Sequence, residues 1–340
     1  KRVDRVPTTH ADAYQLYTRA RVLNDDRQNT AGYRAALDTA STLLEQALKI
    51  DSNFAEAHAA LAQVYIDRLF IYEPNSGLRQ RAADEISRAL AIDSGVAEAY
   101  HARGNLDYTR ESGWQLDSAM RDYKRALALK PNDASYHASY GTLLFHVGLL
   151  APALRELRAT QQLDPLNRYV VPRIARVLWY QGNYDDALAQ MGAENEFPEE
   201  HALVLGYLGR AEAGLRYLDR DTVKTDARTT DAMAARAVLL ARLDRRAEAE
   251  AALRKAIPTG QAASHFHHAE FMIASANALL GHTDEAQRWL ERMANDGMPN
   301  LALITNDPSL ASVRLRPEFQ IFLGTERARN DRLRRIMEEP

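Results

Sequence analysis

The feature that most constrains this chain is a short helical signature that returns along it at a near-constant interval. Ala55-Glu-Ala-His-Ala-Ala-Leu-Ala-Gln-Val-Tyr65 comes back in altered form as Ala97-Glu-Ala-Tyr-His-Ala-Arg-Gly104, and again around Ala134-Ser-Tyr-His-Ala-Ser-Tyr-Gly141. A second signature alternates with it: Glu45-Gln-Ala-Leu-Lys-Ile-Asp-Ser52, Ser87-Arg-Ala-Leu-Ala-Ile-Asp-Ser94, Lys124-Arg-Ala-Leu-Ala-Leu-Lys-Pro131 and Thr160-Gln-Gln-Leu-Asp-Pro165. Two helix types alternating with a period of about 34 residues cannot each bury an apolar face alone, so neighbours must stack.

The residues inside the period make physical sense as paired helices. Leu61, Ala62 and Tyr65 share one face of a 3.6-residue turn, and Ala82, Ile86 and Ala89, like Ala119, Tyr123 and Ala126, line the face that packs back. A small residue recurs at one position (Ala62, Gly104, Gly141, Ala175), where a larger one would overpack the helix contact. Pro131 and Pro165 stop one hairpin and start the next. With 16 Gly and 12 Pro in 340 residues, there is too little turn chemistry for many short strands. The class is all-α.

These marks resemble tetratricopeptide repeats (TPR), which implies a right-handed superhelical solenoid. About eight hairpins are expected over residues 11–300, after a lead-in at 1–10 and before a helical cap at 301–340. Polar insertions fall at Asn24–Thr30, near 71–77 and at 111–114, and the sixth hairpin, about 199–220, is shortened. The ends resemble something narrower. Ala11-Asp-Ala-Tyr-Gln-Leu-Tyr17, His267-His-Ala-Glu-Phe-Met-Ile-Ala274, Asp284-Glu-Ala-Gln-Arg-Trp-Leu290, Asn295-Asp-Gly-Met-Pro299 and Arg316-Pro-Glu-Phe319 are similar to arrays at the C-terminus of bacterial multidomain signalling proteins. Those include winged-helix transmembrane transcription regulators, membrane-linked serine/threonine kinases and adenylate-cyclase-like proteins. The resemblance implies a sensory or partner-recognition module, tethered to the inner membrane by an upstream segment and lying in the periplasm, with a cytoplasmic location as the alternative. The start at Lys1 reads as a cut end.

Composition and motifs argue against other classes. A net charge of −3 gives no basic face for phosphates. The chain has no cysteine, hence no thiolate site or disulfide, and no apolar run long enough to span a bilayer. Acid pairs at Asp25-Asp26, Asp185-Asp186 and Glu199-Glu200 are read as solvated helix starts, and no nucleophile has a base partner. No enzyme, cofactor or metal is expected. His265 and His268 could share a helical face as the beginning of a metal site, yet no further carboxylate or His has the right local spacing except Glu270, which projects elsewhere from His268.

Binding is the more informative reading. In stacked hairpins the first helix of each lines a concave groove, whose expected positions are Gln63 and Asp67, then His101, Asn105 and Tyr108, then Thr142 and His146. Arg173, Arg176, Trp179 and Tyr180 follow as an arginine–aromatic stripe, the composition of a recognition patch. The Lys and Asn of a carboxylate clamp are missing, since the comparable positions hold Ala59, Ala60, Ala102, Ala138 and Ser139. A protein or peptide ligand in the groove is expected, with small-molecule sensing at the 70–77 and 111–114 insertions, or self-association through end hairpins, as alternatives.

Overall fold

A computed structural model describes residues 7–25, 32–71, 77–192, 197–220, 229–257 and 266–339. Among them every regular element is helical, and the chain divides into two compact units, Lys1–Tyr136 and His137–Pro340.

The first unit holds three hairpins: α1 (Ala11–Asp25) with α2 (Tyr33–Ile50), α3 (Ala55–Ile71) with α4 (Leu78–Ile92), and α5 (Ala97–Asp107) with α6 (Leu116–Leu129). Helix α2 shows why they form. Its buried Tyr33, Leu37, Ala40, Leu44 and Ala47 recur every three or four residues, one stripe of a helical surface. The Ile-Asp-Ser tags end the second helices. Asp51 and Asp93 turn extended, and their N–H groups donate to the Ala47 and Ala89 carbonyls at 2.9 Å each. Their carboxylates then accept from Asn53 N (2.9 Å) and Gly95 N (2.8 Å), an Asx turn that reverses the chain into the next hairpin. The small position also has its reason: a Cβ on Gly104 would lie 2.8 Å from the Tyr123 ring.

The second unit begins within α7 (Ala134–His146), which pairs with α8 (Leu150–Leu163). Four hairpins follow: α9 (Val170–Tyr180) with α10 (Tyr184–Met191), α11 (Pro198–Tyr207) with α12 (Ala211–Leu218), α13 (Thr229–Arg242) with α14 (Arg246–Ala256), and α15 (His267–Leu279) with α16 (Thr283–Asn295). That makes eight hairpins among the described residues. The sixth is short as expected, with helices of 10 and 8 residues. Helices α17 (Leu301–Asn306), α18 (Ala311–Arg314) and α19 (Pro317–Glu338) complete the unit.

One feature departs from an open rod. The C-terminal segment returns to the beginning of its own unit. The Asn300 amide donates to the Phe145 carbonyl at 2.6 Å, and that of Asn330 to the Val147 carbonyl at 2.9 Å. Gly148 (φ +81°) makes the approach feasible, because a Cβ there would meet Asn300 Oδ1 and Leu301 N at 3.0 Å each. The last helices of this unit are therefore bonded back to the end of its first helix.

Candidate functional site

In the first unit, Gln63 and Asp67 lie one turn apart on α3, and His101 and Asn105 one turn apart on α5. The hairpin stack sets these helices side by side, and their polar groups form a ladder. Asn105 Nδ2 donates to Gln63 Oε1 at 2.7 Å, and Gln63 Nε2 donates to Asp67 Oδ1 at 3.0 Å. The Tyr33 hydroxyl donates to Asp67 Oδ2 at 3.1 Å and the Tyr123 hydroxyl to Asn105 Oδ1 at 2.8 Å. His101 packs its ring on Tyr136, centroids 4.6 Å apart. Burial pushes the Tyr123 phenol far above its ordinary range, so it stays a neutral donor. Asp67 is buried, whereas Gln63, His101 and Asn105 are half-buried. A carboxamide has two N–H donors and an oxygen with two lone pairs, so these bonds orient each amide without exhausting it. Tyr108 lies apart from the ladder: it is buried, its ring edge-on to Trp114 at 5.3 Å.

The second unit treats the expected arginine–aromatic stripe differently. Arg176 is 8% exposed, Trp179 and Tyr180 4% each, and His146 1%, so these four side chains lie inside rather than on an accessible groove. Arg176 forms an ion pair with buried Glu200 of α11, and its guanidinium sits over the rings of Phe145 (5.6 Å) and Phe197 (5.2 Å). Burial alone would lower its pKa, but Glu200, Tyr180 and Glu199 more than offset this and raise it. Trp179 packs against Tyr207 and Phe271, at 5.8 and 6.3 Å. Only Arg173 of the stripe keeps appreciable exposure, donating to the Tyr169 carbonyl at 3.2 Å. The physical reason is α15, which covers the stripe and supplies Phe271 and His268. Glu199 and Glu200 are corrected with it: both are buried, not a solvated helix start, whereas Asp185 and Asp186 are exposed.

The same place gathers three histidines. His146 Nε2 lies 3.3 Å from His268 Nε2, which is also 3.2 Å from Arg176 Nη1. His267 Nδ1 donates to the Asp296 carbonyl at 2.8 Å, and the Tyr180 hydroxyl is 3.4 Å from His268 Nδ1. The further ligands that local spacing did not offer His268 come from its neighbour and from α7, 122 residues earlier. Glu270 does face elsewhere, toward Arg292 Nε at 3.1 Å. His265, Asp26 and the insertion residues 72–76 lie outside the described residues, as does the Asp25 side chain. The 111–114 insertion is a packed turn, with Thr109 Oγ1 accepting from Ser112 N. A cleft of about 360 Å³ opens instead between α12, α13 and α14, lined by Glu212, Arg216, Asp219, Arg236, Arg245 and Glu248 among others. No described helix is long and apolar enough to cross a membrane.

No family profile and no curated protein matches the chain. Several solved structures are similar to parts or most of it. PilF of Pseudomonas aeruginosa is 22% identical, over 60% of this chain and 90% of its own, with a TM-score of 0.43. A tetratricopeptide repeat protein of Parabacteroides merdae is 13% identical, over 90% and 99%, with a TM-score of 0.40. YrrB, described as a TPR protein with an unusual peptide-binding site, is 20% identical, over 60% and 91%, with a TM-score of 0.34. The all-α, TPR-type description rests on this chain's own alternating hairpins, their Asx-turn exits and their close-packed small positions.

Proposed function

We propose that the chain is a non-catalytic scaffold that binds an extended peptide along the α3–α5 face of its first unit. The carrying observation is the amide ladder, in which half-buried Gln63 and Asn105 from consecutive hairpins are held ready by Asp67 and Tyr123, with half-buried His101 beside Asn105. An extended peptide presents alternating N–H and C=O groups, and a carboxamide pairs with either. Pre-oriented amides spare the ordering cost that flexible ones would add on binding.

The reading is tested by screening a peptide library against the whole chain and measuring the best binder by fluorescence anisotropy. The Gln63→Ala, Asn105→Ala double variant should weaken that binder by about 10- to 100-fold, at roughly 0.5–1.5 kcal/mol per hydrogen bond. Unchanged affinity in a folded double variant rejects the face. The resemblance of the chain's ends supports a finer reading, a partner-recognition module of a bacterial signalling or transcription-regulatory protein with the array in the periplasm. Fractionation of cells expressing the full-length protein tests that placement; recovery in the cytosol rejects it. The charged cleft between α12 and α14 favours small-molecule sensing as a second reading, for which a thermal-shift screen is the check.

A further inference from the structure

The three-histidine cluster of the second unit is built like a ligand set. We propose that His146, His267 and His268 bind one divalent transition ion of the class imidazole favours, zinc and nickel foremost.

Geometry carries the argument. One nitrogen from each of the three rings can be chosen so that all lie within 4.8 Å of one another. The 3.3 Å between His146 Nε2 and His268 Nε2 matches the edge of a tetrahedron whose metal–nitrogen bonds are about 2.0–2.1 Å, which is about 3.3–3.4 Å. The outward nitrogens are engaged in the manner of metal-bound histidines. His267 Nδ1 donates to the Asp296 carbonyl, which commits its Nε2 to the centre, and His268 Nδ1 faces the Tyr180 hydroxyl at 3.4 Å. Such outer partners fix the tautomer and orientation of a metal-binding histidine.

Charge is the obvious objection, because Arg176 Nη1 sits 3.2 Å from His268 Nε2. Its charge is balanced by the buried Glu200 carboxylate, and the pair as a whole is neutral. On binding, the guanidinium gives up one contact to a neutral imidazole and keeps its ion pair. His146 and His267 are 1% and 0% exposed, so the ion would be shielded on most sides, with half-buried His268 at the approach. Two ligands come from α15 and one from the end of α7, so the ion would tie the last hairpin of the unit to its first helix. Its role there is structural, with three protein ligands and one position for water or a ligand atom.

The test uses the whole chain without an affinity tag, stripped with chelator. Zinc is titrated calorimetrically and cobalt serves as the spectroscopic probe. One ion per chain, a rise in Tm with zinc, and the visible absorption of four-coordinate cobalt are expected. Replacing the accessible ligand, His268→Gln, should weaken binding by more than the roughly 10- to 100-fold typical of losing an outer-shell partner, and Tyr180→Phe by about that outer-shell amount. The exposed His282→Gln should leave binding unchanged. No stoichiometric uptake by the wild-type chain, or unaltered affinity in folded His268→Gln, would overturn the assignment. His146→Ala is a second ligand variant, and the cobalt spectrum of wild type decides the matter if that variant does not fold.

Discussion

Two helical glycines make opposite demands on the same substitution. A Cβ on Gly214 would lie 2.5 Å from the Ala202 carbonyl oxygen, a backbone atom that cannot swing aside, whereas one on Gly324 meets nothing within 4 Å. Gly324→Ala should therefore stabilise by about 0.5–1 kcal/mol through helix propensity, and Gly214→Ala should cost about 1–3 kcal/mol by overpacking. Chemical denaturation of both variants checks the pair. Glu326 gives a pH prediction. Burial raises its pKa, with Arg329 opposing, so its stabilising contribution is full below the unfolded carboxyl pKa and is lost as pH rises through the folded one. Glu326→Gln removes that loss, and its Tm relative to wild type should climb between pH 4 and pH 7; a flat difference contradicts the assignment. At this scale the sequence was half legible. Gln63, His101 and Asn105 could be named from the register of their helices, and the structure brings the three together. Arg176 looked like a surface arginine because Glu200 and His268, the groups that take it inside, lie 24 and 92 residues away.

At the scale of the element, the Ile-Asp-Ser tags and small positions made the hairpins readable, since helix exit and helix contact are both local. Asn300 was silent. Its Oδ1 accepts from Leu303 N at 2.9 Å to cap α17, while its Nδ2 donates to the Phe145 carbonyl. A backbone carbonyl carries no residue identity, so nothing in the sequence marks the partner. Losing cap and donor together, Asn300→Ala should cost about 1–3.5 kcal/mol, roughly 0.5–2 for the cap and 0.5–1.5 for the bond to the Phe145 carbonyl, which still accepts from Gly148 N at 3.1 Å. Asn300→Asp keeps the cap but loses the donor, and should also destabilise. If urea melts show Asp to be as stable as Asn, the bond to Phe145 contributes nothing.

For the whole molecule, an array that only stacks would lose stability gradually from an end, because each repeat touches its neighbours alone. The second unit is different, its C-terminal segment being bonded to the end of α7. Removing residues 317–340 should expose Val147 and the α7 terminus to hydrogen exchange at once, leaving the amides of α3 and α5 as protected as before. Equal loss of protection in α3 and α5 would contradict the division into two units. The repeat count was legible because periodicity is a one-dimensional signal; the return of the chain was not, because it depends on pairings 155 and 183 residues apart. Those separations also set a timetable for synthesis. At about 5–20 residues per second, Phe145 waits roughly eight to thirty seconds for Asn300 to be translated. The first unit's contacts are complete long before. During much of that wait Trp179 and Tyr180 of α9 also lack Phe271 of α15, so the half-made second unit is where a nascent chain of this protein most needs a chaperone.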